Sequence, residues 1–106
     1  MFDVLEPRQE IFDALVDPNR RRILQLLTGG ERPVHELVDH FDLSFSAISQ
    51  HLRVLRDAGL VARRQEGKSR VYALRPEPLR DLRDWTEMYE KAWRGRLARL
   101  RSLVEE

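Results

Sequence analysis

Helix start and stop signals recur at short intervals through the first half of the chain, and their spacing limits which folds it can adopt. Asp17-Pro18 joins a residue that caps helices to a proline suited to the first helical position, and Gly29-Gly30 stops the helix that follows. Pro33 opens another helix, Ser44 caps the next, and Gly59 suits the left-handed position after its last residue. These signals predict short helices joined by tight turns.

Apolar side chains recur at helical spacing within these segments, the first of which covers about residues 7–16. The positions that share a face are Ile11, Phe12 and Leu15, then Ile23, Leu24 and Leu27, then Leu37, Val38 and Phe41, then Ile48, Leu52 and Leu55. Residues 60–65 and 69–74 instead alternate on either side of Glu66-Gly67-Lys68, which predicts a β-hairpin. After Pro76 and Pro78 the helical period returns.

Two short helices across a tight turn, followed by a hairpin, have the element order of a winged helix-turn-helix. We therefore expect a mainly α fold with a three-helix core, a two-stranded β-hairpin wing and a long C-terminal dimerisation helix. The chain has 106 residues, which suits a single domain over residues 1–106. The recognition helix is expected at about 44–58, the wing at about 60–74 and the dimerisation helix at about 78–104.

The net charge of +1 conceals an uneven distribution along the chain. Residues 44–75 hold seven basic and two acidic side chains, whereas residues 1–43 hold five basic and nine acidic ones and residues 76–106 hold seven of each. All but two of the nineteen cations are arginine, whose planar fork pairs with phosphate and with guanine edges. This basic island favours an anionic partner, although a GC-rich coding bias also raises the arginine content.

The helix at about 44–58 separates an apolar face from a polar one when its residues are placed 100° apart. Ser46, Ser49, Gln50, Arg53 and Asp57 fall opposite the apolar positions. Short hydroxyls let a helix approach the major groove closely, Gln50 can address adenine, and Arg53 can address guanine or a phosphate. The alternative is an ordinary solvated helix face, which the hairpin that follows makes less attractive.

Four cations lie in or beside the hairpin, at Arg63, Arg64, Lys68 and Arg70. Any one of them alone would be an ordinary surface charge. Together on a wing they are better explained by contacts with the DNA backbone or the minor groove. Arg64, Lys68 and Arg70 are the candidate contacts among them.

Three runs resemble the ArsR family of bacterial winged-helix repressors: DPNRRRIL at 17–24, LSFSAISQHLRVL at 43–55 and AGLV at 58–61. Gly67-Lys68, Arg70 and Tyr72 match that family's wing. The resemblance covers about residues 8–76. It implies a homodimeric, DNA-binding transcriptional repressor that dimerises through its first and last helices. It also implies base and phosphate contacts by Ser46, Ser49 and Gln50, with Arg53 nearby.

Within the second run, Phe45 departs from the pattern of the family, whereas His51 matches it but does not lie on the polar face of the helix. Phe45 stands where the family usually carries a polar side chain, often glutamine, so we expect apolar contact with a thymine methyl group to replace the polar one. His51 matches the family, but it lies nearer the apolar arc of the helix than its polar face, which favours a structural role. The candidate DNA contacts are Phe45, Ser46, Ser49, Gln50, Arg53, Arg64, Lys68 and Arg70.

Metal-sensing members of the family carry cysteines at the start of the third helix, or carboxylate and histidine ligands on the last one. The first positions correspond here to Pro33 and His35, the chain has no cysteine, and its last helix has no histidine. His35 and His40 are five apart, which does not place both on one helix face. The acidic residues of the last helix are more plausibly solvated or paired with arginines. We expect no metal and no cofactor, as in the family's metal-free branch.

The last predicted helix carries a wide apolar stripe with two tryptophans and a tyrosine. A small three-helix core cannot cover such a stripe, so we expect a two-fold homodimer with its recognition helices about 34 Å apart. Packing of the whole stripe within the monomer is the alternative. The candidate interface residues are Phe12, Leu82, Trp85, Tyr89, Trp93, Leu97 and Leu100.

Double-stranded DNA is the partner that these features favour. An enzyme is the weakest rival, because the sequence shows no glycine-rich phosphate loop, no metal-ligand cluster and no nucleophile suitably placed beside a histidine. A winged-helix module that binds protein is a stronger rival, but it predicts exposed apolar groups on the wing and recognition helix, where only Phe45 fits. With no signal-peptide pattern and no membrane-spanning apolar run, we expect a cytoplasmic protein without a membrane partner.

Overall fold

The computed structural model describes residues 6–105, in which five helices and three strands follow one another. The helices are α1 (Gln9–Val16), α2 (Pro18–Leu27), α3 (Val34–Val38), α4 (Phe45–Asp57) and α5 (Glu77–Glu105), and the strands are β1 (Arg32–Pro33), β2 (Val61–Glu66) and β3 (Ser69–Leu74). A mainly α fold with a hairpin and a long last helix is the fold class that the sequence predicts.

Side chains cap α2 and α4 where the sequence places their starts. Asp17 Oδ1 accepts hydrogen bonds from the backbone N–H groups of Asn19 at 2.8 Å and Arg20 at 3.2 Å. Ser44 Oγ accepts one from the backbone N–H of Ala47 at 3.0 Å. These bonds satisfy donors that have no partner within the helix, and they set where each helix begins.

Two glycines turn the chain at the ends of β2. Gly59 follows α4 with a φ of +76°, and Gly67 joins β2 to β3 with a φ of +61°. Residues with a Cβ atom rarely adopt such angles, so glycine permits both turns. The resulting hairpin pairs Val61 with Leu74 at its base and Glu66 with Ser69 at its tip.

The sheet has a third strand that the sequence does not predict. The strand order is β1-β3-β2, with Arg32 paired to Tyr72 and Pro33 paired to Val71. The wing itself is the two-stranded hairpin that the sequence predicts, with β1 added beside β3, and α3 begins at Val34, after the proline assigned to its start. A strand of two residues is too short to show an alternating pattern, which explains why it is missed.

The hydrophobic core joins the first four helices to the inner side of the sheet. Ile48, Leu52 and Leu55, the apolar positions predicted for α4, are fully buried, as are Ile23 of α2 and Leu37 of α3. These side chains belong to one cluster. Its packing holds α4 by one face and leaves the opposite face to solvent.

The last helix, α5, extends away from this core. Phe12 of α1 meets Trp85 edge to face, with 5.1 Å between ring centroids, and Trp85 meets Tyr89 in the same way at 5.2 Å. The part of α5 beyond Tyr89 is exposed, and the protomer measures 68 Å along its longest axis against 27 and 21 Å across. Within residues 6–105 no helix combines the length and the apolar character needed to cross a membrane.

Candidate nucleic-acid interface

The solvent-facing side of α4 is polar because its apolar side is committed to the core. Ser46, Gln50 and Arg53 are exposed, and Ser49 is half-buried. At 100° per residue, Ser46, Gln50 and Arg53 lie about 140–160° from the buried Ile48 around the helix axis, and Ser49 lies about 100° from it, on the flank of this polar face. Rigid packing beneath the helix therefore presents hydroxyl, amide and guanidinium groups to solvent in a defined arrangement.

Strand alternation divides the side chains of the hairpin between two faces. Arg63 pairs with Tyr72 across the ladder, and Arg70 lies two residues before Tyr72 in β3, so these three share one face. An open groove of about 460 Å³ separates this face from α4. Its lining residues are Ser46, Ser49, Gln50, Arg53, Arg56, Asp57, Arg63, Arg70 and Tyr72.

Arginine dominates the electrostatics of this groove. Arg53 and Arg56 enter it from α4, Arg63 and Arg70 enter it from the hairpin, and Asp57 is the carboxylate among its lining residues. Each guanidinium is a cation and carries five N–H donors that match phosphate oxygens. The groove thus combines cationic guanidinium groups with the hydroxyl and amide groups of α4.

The structure brings together five of the predicted DNA-contact residues, namely Ser46, Ser49, Gln50, Arg53 and Arg70. Phe45, Arg64 and Lys68 lie outside the groove lining. Phe45 occupies the first position of α4 and is 59% exposed. Lys68 is exposed in the turn between β2 and β3, at the tip of the hairpin.

Arg64 lies on the face of the hairpin that points away from the groove. Its guanidinium contacts the carboxylate of Glu31 and, at 2.7 Å, that of Glu66. Hydrogen bonds to Glu31 and then to Glu66 raise the pKa of Arg64 above its ordinary value. The side chain ties the hairpin to the residue before β1, and it would have to leave both carboxylates in order to bind a phosphate.

Four groove residues are absent from the eight candidate DNA contacts: Arg56, Asp57, Arg63 and Tyr72. Arg56 follows Arg53 by three residues, which makes them neighbours on a helix surface. Arg63 has the same alternation parity as the paired Tyr72, whereas Arg64 has the opposite one. Alternation in the sequence shows that the two arginines lie on opposite faces of the hairpin, and the packing of the hairpin beside α4 decides which of them borders the groove.

The basic run at 20–22 serves the fold rather than the groove. Arg20 donates to two carbonyl oxygens near the end of α1, those of Ala14 at 2.8 Å and Asp13 at 3.0 Å. Arg21 donates to the last two carbonyls of the same helix. Arg20 also lies within 3.2 Å of the Nδ1 atom of His51 on the inner edge of α4. These bonds give His51 a structural contact, in the role that its position favours.

Comparison with known proteins places the chain in a family. A family model described as bacterial regulatory protein, arsR family, matches residues 17–63. The chain is 36% identical over 75 residues to the transcriptional repressor SdpR of Bacillus subtilis, an alignment that covers 71% of this chain and 83% of SdpR. It is 41% identical over 85 residues to the HTH-type transcriptional regulator Rv2034 of Mycobacterium tuberculosis, with 79% of each chain covered. The chain belongs to the ArsR family.

A solved ArsR-like structure supports the same assignment. The ArsR-like transcriptional regulator from Rhodococcus sp. RHA1 superposes with a TM-score of 0.76 at 28% sequence identity, over 91% of this chain and 88% of that one. As an ArsR-family member, the chain is a DNA-binding transcription regulator with a winged helix-turn-helix, and it is not an enzyme. The family model covers α2, α3 and α4, and with them the α4 side of the groove.

The predicted dimer residues of this ArsR-family chain occupy two zones. Phe12, Leu82 and Trp85 are half-buried, and the first and last of these pack against each other where α1 meets α5. The exposed zone follows along α5, where Tyr89, Trp93, Leu97 and Leu100 are 55%, 56%, 44% and 56% exposed. Part of the stripe therefore packs within the protomer, and its remainder faces solvent.

A smaller depression of about 290 Å³ lies on the other side of the wing from the groove. Its lining residues are Glu31, Pro33, His35, Glu66, Ser69 and Val71, and they include both carboxylates that bind Arg64. In the described part of this ArsR-family chain, no three side chains of the metal-binding types come close enough to hold an ion.

Proposed function

We propose that this chain is a homodimeric repressor that reads a pseudo-palindromic operator through α4 and the wing, without sensing a metal. The observation that carries the proposal is the groove between α4 and the hairpin, where groups from two elements face one open space. A rod-like duplex can contact both sides of such a groove at once, with the helix in its major groove and the wing along its backbone.

In this arrangement α4 supplies the contacts that depend on sequence. Gln50 can bond an adenine bidentately at N6 and N7, and Arg53 can bond guanine at O6 and N7 or a nearby phosphate. The side chains of Ser46 and Ser49 are short enough to let α4 approach the floor of the DNA major groove. Together they give discrimination over a few base pairs in each half-site.

The wing supplies the contacts that depend on charge. Arg63 and Arg70 project from the groove face of the hairpin, and Lys68 extends from its tip. Contacts of this kind position the protein on the duplex and carry little sequence information. Arg64 takes no part in this proposal because two carboxylates of its own protomer already bind it.

Dimerisation is proposed from the exposed apolar zone of α5. Trp93, Leu97 and Leu100 present a contiguous apolar strip to water, which would favour aggregation if it stayed uncovered. An isologous two-fold contact covers the strips of both copies at once. The dimer then presents two α4 helices to half-sites one helical turn apart, about 34 Å, or a multiple of it.

Repression and metal independence complete the proposal. The similarity to SdpR, which is named a transcriptional repressor, supports repression. The absence of cysteine from the chain, and of histidine from α5, supports regulation without a metal of the thiolate or histidine type. Because bacterial DNA lies in the cytoplasm, we place the protein there.

Titration of the purified protein against the DNA upstream of its own coding region tests this proposal. Between about 50 and 200 mM salt, the logarithm of affinity should fall linearly with the logarithm of salt concentration, with a slope of several units. A chelator should leave affinity unchanged. Loss of binding in the presence of chelator would contradict metal independence. If the protein showed no salt-dependent affinity for any duplex tried, the proposal that it binds DNA would be contradicted.

A further inference from the structure

Phe45 is a large aromatic side chain that the fold does not use. It is 59% exposed at the first position of α4, and it does not belong to the buried core cluster. The aromatic pairs found in residues 6–105 join Phe12, Trp85 and Tyr89 without it. The ring is therefore available to a partner outside the protomer.

The position of Phe45 on α4 associates it with the groove. On a helical wheel it lies about 40° from Ser49, which follows one turn later, and Ser46 is its immediate neighbour. Both serines line the groove. In a helix-turn-helix the N-terminal residues of the recognition helix are the ones that meet base edges. The cap at Ser44 fixes the start of this turn and hence the site from which the ring projects.

We propose that Phe45 contacts the C5-methyl group of one thymine in each half-site, so that operator affinity depends on that methyl. The inference rests on the proposed function. Phenylalanine has no hydrogen-bonding group, and the thymine methyl is the apolar group on the major-groove edge of base pairs. The arginine-rich groove beside it selects a nucleic acid over an apolar protein surface as the partner.

Deoxyuridine provides the direct test, because it differs from thymidine in a duplex only by the missing methyl. In an operator obtained by selection, each thymine is replaced singly by deoxyuridine and binding is measured. Wild-type protein should bind about fourfold more weakly when one particular thymine of a half-site is replaced, and about sixteen-fold more weakly when both half-sites are changed. Thymines outside the half-sites should show no such effect.

Variants at Phe45 assign the methyl effect to the ring. Phe45→Ala should fold as wild type, which circular dichroism checks, because the ring is largely exposed. It should bind the thymine operator more weakly and lose nothing further on deoxyuridine substitution, since the two changes remove one shared contact. Phe45→Leu should retain part of the methyl dependence. Gln50→Ala should lose affinity while keeping the full fourfold effect.

The outcomes separate this inference from the function on which it rests. Salt-dependent binding with no deoxyuridine-sensitive position overturns the methyl contact and leaves the regulator intact. Persistence of the full methyl effect in Phe45→Ala overturns the assignment to Phe45. Failure of the wild-type protein to bind any duplex removes the proposed function and the inference together.

Discussion

The guanidinium of Arg20 in α2 lies 3.2 Å from the Nδ1 atom of His51 in α4. Because arginine carries only donors, any hydrogen bond between the two side chains is one that Arg20 donates. The same guanidinium donates to the carbonyl oxygens of Asp13 and Ala14. One half-buried side chain thus connects α1, α2 and the recognition helix.

Replacement of Arg20 should therefore destabilise the protein. Arg20→Ala leaves two carbonyls and the ring nitrogen of His51 without this donor, and we expect a loss of about 1–3 kcal/mol in the free energy of unfolding. Urea denaturation measures it. Arg83→Ala is the matched control, because it removes the same charge from an exposed pair with Asp84, and it should cost less than about 1 kcal/mol. Equal losses in the two variants would show that the Arg20 contacts contribute nothing of their own.

The cap at Asp17 should make stability depend on pH in the acid range. Burial alone would raise the pKa of Asp17, but hydrogen bonds from the backbone N–H groups of Arg20 and Asn19, with the charges of His51 and Arg20, lower it below its ordinary value. A carboxylate of this kind stabilises the folded state above the pKa of the unfolded chain, about 4, and this contribution is lost as pH falls through the lower folded value.

Two substitutions at Asp17 separate the charge from the hydrogen bonds. At neutral pH, Asp17→Ala should lower the free energy of unfolding by about 1 kcal/mol, and Asp17→Asn, which keeps an acceptor, should lower it less. The gap between wild type and Asp17→Asn should close in acid. Denaturant titrations at several pH values measure both effects. A gap that widened on acidification would show that the ionised carboxylate of Asp17 does not stabilise the folded state.

Arg63 and Arg64 are adjacent in β2 but should behave differently towards DNA. Arg63→Ala should weaken binding to all duplexes alike and reduce the salt slope by about one, because it removes one phosphate contact. Arg64→Ala should leave the slope unchanged, since Glu31 and Glu66 hold that side chain on the other face. A slope reduced equally by both substitutions would mean that Arg64 leaves its carboxylates and contacts DNA, as the sequence alone predicts.

A glutamate in the apolar strip of α5 should separate the protomers. Trp93→Glu places a charge in the proposed interface and should give monomers in sedimentation, with weak DNA binding. Ala98→Glu is the control, because it adds the same side chain to the same helix on roughly the opposite side. A dimer that survives in Trp93→Glu, or one that Ala98→Glu disrupts equally, would place the interface elsewhere.

Periodicity and capping chemistry predict most of this fold, because both are local properties of the chain. The burial of Ile48, Leu52 and Leu55, and the caps at Asp17 and Ser44, follow from spacing and residue type alone. The strand β1 does not, since its two residues acquire their conformation by pairing with β3. Pro33, the second residue of this strand, carries a helix-start signal that is accurate only to within a residue, because α3 begins at Val34.

The candidate site is predictable on its helix side and less so on its wing side. The polar residues of α4 are visible as one face of a wheel, and four of them line the groove. The choice between Arg63 and Arg64 depends on which face of the hairpin turns towards α4, and that is a tertiary property. The boundary between the covered and the exposed parts of the apolar stripe on α5 also depends on tertiary packing. Only the packing of Phe12 on Trp85 shows which part is covered within one protomer.

Selection of binding sites from a pool of random-sequence duplexes tests most directly the claim that this chain reads DNA as a two-fold dimer. Purified protein is incubated with the pool at physiological salt, and the bound duplexes are sequenced over several rounds. We predict enrichment of two inverted half-sites whose centres lie about 10–10.5 base pairs apart, or a multiple of that spacing. Enrichment of a single unrepeated half-site, or no enrichment at all, would contradict the account.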